Sequence, residues 1–242
     1  MAQVSVVIPA HNEEARIGPT LERILSYLGS QCYSSEVVVV DDVSSDGTAR
    51  VASQFMGGKT PLRLIRRQAK NGKGFAVREG MLAAIGERRL FSDADLSTPI
   101  EEAEKLLSAL DKGYHVAIGS RMAPGAQVNR PLSRALISRA FNLIVQALLL
   151  PGIRDSQCGF KAFTRGAAED LFGRLTLGGW GFDAELLFLA RKRGWKIREV
   201  PVRWIHSPGT RMRPFRNALQ MMRDLVRVRW QYLTGVYDEP GG

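Results

Sequence analysis

The chain has 242 residues, with 34 Lys and Arg against 24 Asp and Glu and a formal net charge of +10. Hydrophobic residues at 45% and charged residues at 24% are typical of a folded protein and exclude a disordered chain. The basic balance favours anionic partners, such as nucleic acid, lipid head groups or phosphorylated substrates, and two cysteines without metal-binding spacing predict no zinc site.

The first half of the chain alternates short apolar, β-branched runs with amphipathic stretches. Strands are predicted over 4–8, 36–40, 62–66, 90–93 and 116–119, and helices over 14–28, 46–54, 74–85 and 100–110. Strands that are apolar throughout, each followed by a helix, are typical of a parallel sheet covered on both faces. The predicted fold class is therefore α/β, with a Rossmann-like, mainly parallel sheet and helices on both faces.

The alternation ends near residue 122. The second half is predicted to hold an apolar helix over 134–150, a helix over 182–193, a strand near 197–204 and a basic helix over 214–233. Without a clear linker, we predict a single domain over 1–242, in which 1–121 and 122–242 form two continuous halves.

Polar residues follow the predicted strands, at the edge of a parallel sheet where ligands bind. Asp93 and Asp95, one residue apart in a turn, are suited to a hard divalent cation that bridges a diphosphate; a plain turn or helix cap is the alternative. One of the adjacent residues Asp41 and Asp42 is suited to accept hydrogen bonds from a base or ribose; the alternative is a helix cap with turn residues. Lys73 lies within the glycine cluster 71–74, and Arg78 follows it. Both are expected to approach a donor phosphate; the alternative is that the cluster is a simple turn between a strand and a helix.

Several motifs occur in an order that identifies a family. VSVVIPAHNEE, VVVVDDVSSDGT, NGKGFAVREGM and DADLSTP together resemble family-two glycosyltransferases of the GT-A fold. IRDSQCGFKAFTR, WGFDAELL, EVPVRW and LQMMRDLVRVRWQYLTG resemble the dolichyl-phosphate glucosyltransferase branch. The resemblance implies an inverting enzyme that moves glucose from UDP-glucose to a polyprenyl phosphate, dolichyl or undecaprenyl, with Mg²⁺ or Mn²⁺. The chain lacks the QxxRW motif of processive synthases, which argues against polysaccharide synthesis.

The resemblance also implies roles for single residues. Those expected to bind the nucleotide-sugar are Pro9, Ala10, Asn12, Glu13, Asp41, Lys73, Asp93 and Ala94. Asp93 and Asp95 match the metal motif, and Arg121 matches a basic residue near the phosphates. Asp155 matches an acidic residue beside the reacting centre and is a base, a sugar-hydroxyl ligand or an orienting group. Asp183 and Glu185 are alternatives for that position, or carboxylates favoured by the first turn of a helix.

A phosphate acceptor also needs cations. The candidates in the second half of the chain are Arg130, Arg134 and Lys161, with Arg139 and Arg211. The reaction itself needs little help from a general base, because a phosphate monoester carries nearly two negative charges at neutral pH. Catalysis is therefore expected to depend on positioning and on stabilisation of the leaving diphosphate.

Two helices predict contact with a membrane surface. No run of about 18 apolar residues is present, so no spanning helix is expected. Residues 134–150 and 214–233 are instead predicted to form a peripheral platform, or to pack on the core. The final helix is predicted to carry one apolar face, opposite to Arg216, Arg223 and Arg227, and made of Phe215, Ala218, Leu219, Met222, Leu225, Val226, Trp230 and Leu233. The expected location is the cytoplasm, at the inner face of the membrane.

Other functions remain open from the sequence. GDP-mannose as donor, or a non-lipid acceptor, keeps the strand-end carboxylates and changes the substrate. A basic protein that binds nucleotide-sugars without catalysis, or one that binds nucleic acid, is a distant alternative. Carboxylates at four strand ends would repel a phosphate backbone, and no nucleic-acid-binding motif is present, so no nucleic acid partner is expected. The oligomeric state is left open.

Overall fold

The computed structural model describes residues 2–129, 142–205 and 214–238. The elements in chain order are β1 (Val4–Ala10), α1 (Glu14–Gly29), β2 (Ser35–Asp41), α2 (Thr48–Ser53), β3 (Leu62–Arg66), α3 (Lys73–Ala83), β4 (Arg88–Ser92), a 3₁₀ turn (Ile100–Glu102), α4 (Ala103–Asp111), β5 (Val116–Ser120), β6 (Gln127–Asn129), β7 (Phe160–Thr164), α5 (Arg165–Gly173), α6 (Phe182–Lys192), β8 (Ile197–Pro201), β9 (Arg203–Ile205) and α7 (Pro214–Leu233). Residues 142–148 are also helical, within the predicted helix 134–150.

Seven strands form one sheet in the order β3-β2-β1-β4-β7-β5-β8. Neighbouring strands are parallel except at β7, which runs antiparallel to both β4 and β5. The predicted α/β class with a mainly parallel sheet is confirmed. Strands β6 and β9 pair in parallel as a separate two-stranded sheet. The main sheet includes strands from both sides of residue 121, so the two predicted halves share it.

The core lies on both faces of the sheet because successive strand residues point to opposite sides. Val6 and Ile8 of β1 pack with apolar residues of α1, α2 and α4. Val7, between them, packs on the other face with α3, α5 and α6. Every residue of β1 is buried, as expected for a strand covered on both faces. This double cover leaves the ends of the strands as the exposed edge at which polar side chains collect.

The antiparallel strand β7 was not predicted. Its sequence, FKAFT, places Lys161 between apolar residues, which obscures the pattern of a buried strand. Phe160 and Ala162 pack on one face of the sheet and Phe163 on the other. A strand from the second half of the chain thus separates β4 from β5 and brings the segment before it, residues 155–159, to the end of β4.

The predicted single apolar face of α7 is wrong for the residues whose side chains are described. Met221, Leu225 and Val228 are buried, and Leu225 and Val228 belong to the core. Val226 and Trp230 are exposed and form a separate outer stripe together with Leu233. Both stripes follow helical spacing, which is why the sequence merges them into one face. Within the described residues, we find no helix long and apolar enough to cross a membrane.

Candidate active site

The turn after β4 holds the two carboxylates of the predicted metal motif. The Asp93 N–H donates to the Gly159 carbonyl at 3.2 Å. The Ser97 N–H donates to Asp95 Oδ1 at 2.9 Å, which fixes the second carboxylate. The buried hydroxyl of Thr20, on α1, donates to the Ala94 carbonyl at 2.6 Å. The carboxylate turn is thus held by hydrogen bonds from both its own backbone and α1.

Gly159 lies directly against the Asp93 carboxylate. A Cβ atom at Gly159 would lie 2.2 Å from Asp93 Oδ2, closer than any real contact. Only a residue without a side chain therefore leaves this carboxylate in place. No local pattern around Gly159 indicates this role, because the contact joins residues that are far apart along the chain.

Lys73 pairs with the first carboxylate of the turn. It is the first residue of α3, and its Nζ contacts Asp93 Oδ1, with 27% of the lysine side chain and 38% of the aspartate side chain exposed. Burial lowers the pKa of Lys73, but the attraction of Asp93, Asp183 and Asp95 outweighs it and raises the pKa overall. Lys73 therefore stays protonated and places a positive charge beside Asp93.

The glycine cluster beside Lys73 serves backbone packing. Gly72 has φ +99° and a Cβ there would lie 2.3 Å from the Gly178 carbonyl oxygen. The Gly74 N–H donates to the same carbonyl at 2.8 Å. Lys73 Nζ lies 5.8 Å from the ring centre of Trp180 and 5.9 Å from that of Phe182. The cluster thus positions Lys73 against the start of α6.

Arg78 points to the end of α5 and not to the carboxylates of the turn after β4. Its guanidinium donates to the carbonyls of Phe172 and Gly173 at 2.9 and 3.4 Å. These carbonyls lie at the C-terminal end of α5, where a positive charge is stabilised by the helix dipole. The hypothesis that Arg78 approaches a donor phosphate is not supported by this arrangement.

The ends of β1 and β2 bring the predicted nucleoside contacts together. Pro9 and Ala10 are buried and lie in register with Val40 and Asp41. The Asn12 N–H donates to Ser44 Oγ at 2.9 Å. Its side-chain oxygen accepts from the Ser45 N–H at 2.8 Å.

Asp41 and Glu13 complete this corner. Asp41 is buried and accepts from the Ser44 N–H at 3.3 Å. The Glu13 side chain pairs with Arg16 at 2.8 Å, and its N–H donates to Thr48 Oγ1 at 2.8 Å. The two loops are therefore joined into one rigid polar corner beside the carboxylate turn. Whether each of these residues contacts a nucleoside stays a prediction.

Arg121 and Asp155 form a buried bidentate pair. The Arg121 side chain donates to both carboxylate oxygens of Asp155 at 2.8 Å, and its backbone N–H donates to Oδ2 at 2.9 Å. Asp155 is fully buried, and its own N–H donates to Glu199 at 2.9 Å. Burial alone would raise the pKa of Asp155, but Arg121 outweighs it and lowers the pKa.

This geometry favours one of the three roles open to Asp155. Both of its oxygens are engaged, and the carboxylate stays ionised beside a guanidinium. Such a group orients Arg121 and is poorly placed to take a proton from a substrate. The Arg121 guanidinium carbon also lies 5.8 Å from the ring centre of Trp204. We assign Asp155 the orienting role as a hypothesis.

Lys161 and Asp183 form a second buried pair. Lys161 is fully buried, and its Nζ donates to the Cys158 carbonyl at 2.6 Å and pairs with Asp183. Burial raises the pKa of Asp183, and the ammonium groups of Lys161 and Lys73 offset part of the rise. Lys161 thus neutralises the buried charge of Asp183. Its contact with an acceptor phosphate stays a prediction. Arg130, Arg134, Arg139 and Arg211 lie outside the described residues.

Glu185 holds the fold rather than the site. Its carboxylate accepts from the N–H groups of Thr176 and Leu177, both at 2.9 Å, and from the Tyr237 hydroxyl at 2.8 Å. These bonds tie the loop before Gly178 to the end of the chain and favour the structural role for Glu185 over a role at the reacting centre.

The carboxylate edge is chemically suited to a divalent cation. Asp93 and Asp95 offer hard oxygen ligands, and Asp93 already holds the Lys73 ammonium, so its carboxylate accepts a cation. In the part of the chain that the structure describes, no three His, Cys, Asp or Glu side chains form a metal cluster. Asp93 and Asp95 could thus supply two of the oxygen ligands of a divalent cation.

Comparison with known proteins identifies the family. The model of "Glycosyl transferase family 2" matches residues 5–172. The chain belongs to glycosyl transferase family 2. This family 2 glycosyltransferase is 38% identical over 250 residues to the dolichyl-phosphate beta-glucosyltransferase of Homo sapiens, covering 97% of this chain and 77% of that protein. It is 35% identical to the enzyme of the same name from Saccharomyces cerevisiae, covering 97% and 76%. The predicted family and glycosyltransferase activity are confirmed.

Solved structures share the fold of this family 2 glycosyltransferase. Mannosyl-3-phosphoglycerate synthase from Rubrobacter xylanophilus superposes with a TM-score of 0.71 at 20% identity, covering 97% of this chain and 75% of that chain. Glucosyl-3-phosphoglycerate synthase from Mycobacterium tuberculosis, in complex with Mn²⁺, UDP and glucosyl-3-phosphoglycerate, gives 0.70 at 22% identity, covering 94% and 80%. The same synthase was also crystallised with Mg²⁺ and UDP. The predicted GT-A fold is confirmed.

Proposed function

We propose that this enzyme transfers glucose from UDP-glucose to a polyprenyl phosphate, with inversion at the anomeric carbon. The observation that carries the proposal is the match, over 97% of the chain, to proteins named dolichyl-phosphate beta-glucosyltransferase. The geometry supports it, because Lys73 and Arg121 provide positive charges suited to a diphosphate at the strand ends. Asp93 and Asp95 provide carboxylates suited to a divalent cation that would accompany the diphosphate.

In the proposed reaction, a phosphate oxygen of the acceptor attacks the anomeric carbon on the face opposite UDP. The bond between that carbon and the UDP oxygen breaks, and UDP leaves with the electron pair. The attacking phosphate, with a second pKa of about 6, is already an anion at neutral pH. No general base is required, which agrees with an Asp155 carboxylate that is fully engaged by Arg121.

Catalysis then depends on stabilising the leaving diphosphate. Asp93 and Asp95 would hold Mg²⁺ or Mn²⁺, which supplies positive charge to the diphosphate when bound. Arg121, oriented by Asp155, and Lys73, whose backbone is positioned by the glycine cluster, add positive charge beside it. Such pre-positioned charges lower the barrier without reorganising during the reaction.

The donor and the acceptor are tested in one experiment. The purified enzyme is given radiolabelled UDP-glucose, UDP-galactose, UDP-N-acetylglucosamine or GDP-mannose, with polyprenyl phosphate and Mg²⁺ or Mn²⁺. We expect label from UDP-glucose to enter the organic phase after extraction. Transfer from GDP-mannose alone would replace the donor assignment. Label that enters only a water-soluble product, formed from an added non-lipid acceptor, would rule out the lipid acceptor.

We further propose that α7 rests on an anionic membrane surface, where a polyprenyl phosphate resides. Trp230 and Leu233 of its outer stripe are 68% and 74% exposed, and Arg223 and Arg227 are exposed beside them. Together with Met222 and Val226, Arg223, Arg227 and Trp230 line a shallow groove on this side of the helix. Apolar side chains flanked by arginines complement the acyl and head-group layers of an anionic bilayer.

The helical segment 142–148 extends this surface. Leu143 is 65% exposed and Ile144 is also exposed. The Arg229 side chain donates to the Leu148 carbonyl at 2.7 Å, which joins the segment to α7. Because anionic lipid is enriched in the cytoplasmic leaflet, we place the enzyme peripherally at that inner face.

Vesicle flotation tests the membrane contact. We expect binding to phosphatidylglycerol vesicles in low salt and little binding to phosphatidylcholine vesicles. Reversing Arg223 and Arg227 to Glu should lower binding about tenfold or more, since each basic residue contributes roughly 1 kcal/mol near anionic lipid. Reversal of the exposed Lys59 and Lys112 is the charge-matched control. Equal losses in both double variants, or equal binding to both vesicle types, would reject α7 as the docking surface.

A further inference from the structure

Lys73 occupies one of the two carboxylates of the proposed metal site. Its Nζ contacts Asp93 Oδ1, an oxygen that would also serve a divalent cation. The other carboxylate of the motif, Asp95, is held in the turn by a hydrogen bond from the Ser97 N–H to its Oδ1 at 2.9 Å. A cation that enters this site therefore competes with a lysine of the same protein.

The position of Lys73 is enforced by its surroundings. The first turn of α3 is anchored by the bond from the Gly74 N–H to the Gly178 carbonyl at 2.8 Å. Side chains at Gly72 or Gly74 would collide with the 177–178 backbone. The rings of Trp180 and Phe182 lie within 6 Å of the ammonium group. The backbone of Lys73 is thus fixed, and only its side chain is left to move.

The neighbouring cation cannot take its place. Lys161 is fully buried, donates to the Cys158 carbonyl and pairs with Asp183. Lys73 is part-exposed, and its charge is attracted by Asp93, Asp183 and Asp95 together. Of these two lysines, Lys73 is the one able to turn towards a ligand at the mouth of the site.

We infer that Lys73 is an exchangeable counter-ion that occupies Asp93 until a nucleoside diphosphate draws the ammonium group away. This inference rests on the proposed function, which places a diphosphate and a divalent cation at this edge. A diphosphate offers Lys73 more negative charge than the single carboxylate. Once the lysine has turned to the diphosphate, Asp93 Oδ1 no longer holds the ammonium group and can bind the metal.

The exchange makes the two ligands cooperative. Without nucleotide, the metal must displace Lys73 and binds weakly. With nucleotide, the displacement has already occurred, and the metal binds tightly. By linkage, the metal must strengthen nucleotide binding by the same factor. Lys73 thereby acts as a positioning residue that discourages metal binding in the absence of a donor.

Mn²⁺ titrations followed by electron paramagnetic resonance of the free ion test this exchange without turnover. The proteins are wild type, Lys73→Met and the control Lys59→Met, which removes an exposed charge elsewhere; each is titrated with and without UDP. We expect Lys73→Met to bind Mn²⁺ about fivefold more tightly without UDP, the factor for losing one part-exposed ion pair. The enhancement by UDP should shrink, while Lys59→Met should match wild type in both titrations.

Two outcomes would contradict the exchange, and they differ in what they imply for the proposed function. Unchanged or weaker Mn²⁺ binding by Lys73→Met without UDP, while wild type binds Mn²⁺ with UDP, would overturn the exchange and leave the proposed function intact. Absence of Mn²⁺ binding to wild type even with UDP would remove the proposed metal site and the exchange together. Thermal melting verifies that the variants fold, and Lys73→Gln, with a polar head in place of the charge, repeats the test should the methionine variant fail to fold.

Discussion

The ion pairs around the strand ends fall into two groups that differ in burial. Arg121–Asp155 and Lys161–Asp183 are buried, and each is reinforced by a backbone group. The pair between Lys73 and Asp93, at the mouth of the site, is part-exposed on both sides. The buried group resists change, because removing one partner leaves an uncompensated charge, whereas the mouth pair can exchange partners.

This difference in burial distinguishes carboxylates that support the fold from carboxylates that can bind a ligand. A carboxylate such as Asp155, with both oxygens committed, contributes by fixing the group that it holds. A carboxylate such as Asp95, tied by one backbone bond, is available to an incoming ligand. We therefore expect substitutions in the buried group to lower stability and substitutions at the mouth to lower turnover.

The largest effect is expected from Asp155→Asn. The change leaves the Arg121 guanidinium in a buried position without a charged partner, which costs about 3–5 kcal/mol of unfolding free energy. Urea denaturation followed by circular dichroism measures it. The double variant Arg121→Met with Asp155→Leu should recover part of that loss, because it removes both charges. A loss below about 1 kcal/mol in the single variant would contradict the division into two groups.

Asp95→Asn is expected to lower turnover and to leave stability nearly unchanged. The asparagine oxygen can keep the bond from the Ser97 N–H, so stability should stay within about 1 kcal/mol of wild type. Loss of the carboxylate charge should lower kcat about a hundredfold or more, because charge stabilisation of the leaving group is weakened. Steady-state kinetics with UDP-glucose checks this. Instability as large as that of Asp155→Asn would place Asp95 in the scaffold.

Gly159→Ala is expected to give a somewhat smaller effect on turnover. The new methyl group would collide with the Asp93 carboxylate, which must move, and such a displacement costs up to about a hundredfold in kcat/KM. Stability should change little, since the displaced group is the end of a part-exposed side chain. Gly29→Ala, where a Cβ meets nothing within 4 Å, is the control and should leave kcat/KM unchanged.

The smallest effect concerns acid pH. The pKa of Asp155 is lower in the folded chain than in the unfolded chain, so its contribution to stability is complete above the unfolded value of about 4. That contribution is lost as the pH falls through the folded pKa. The difference in unfolding free energy between wild type and Asp155→Asn should thus be constant from about pH 7 to 5 and narrow below about pH 4. A difference that widens in acid would reverse the sign of the assigned shift.

Local sequence patterns were sufficient for the donor side of the molecule. The runs that became β1 and β2 are apolar and β-branched, and the residues that end them follow directly in the chain. Strands β1 and β2 also pair with each other in the sheet, so the residues that end them lie side by side. Asp41, Asp93 and Asp95 were found because strand ends are a local property.

The residues that contact these carboxylates could not be predicted from local sequence patterns. Lys161 is adjacent in sequence to the Asp155 motif and was interpreted as an acceptor contact, but its position on β7 turns it to Asp183. Gly159 was overlooked because its importance depends on Asp93, from a strand much earlier in the chain. The two apolar stripes on α7 were merged because helical periodicity cannot show which side meets a core.

The placement of β7 has a consequence for how the protein is made. Strand β4 ends at Ser92, yet the strand that completes its pairing begins only at Phe160. During translation, the edges of β4 and β5 that pair with β7 stay unpaired until β7 has been synthesised. Unpaired strand edges favour misassembly. A fragment ending at residue 121 would lack the strand that joins them, so residues 1–121 are not an autonomous module for exchange between enzymes. Engineering of a new acceptor specificity would have to preserve β7 and replace the surface around it.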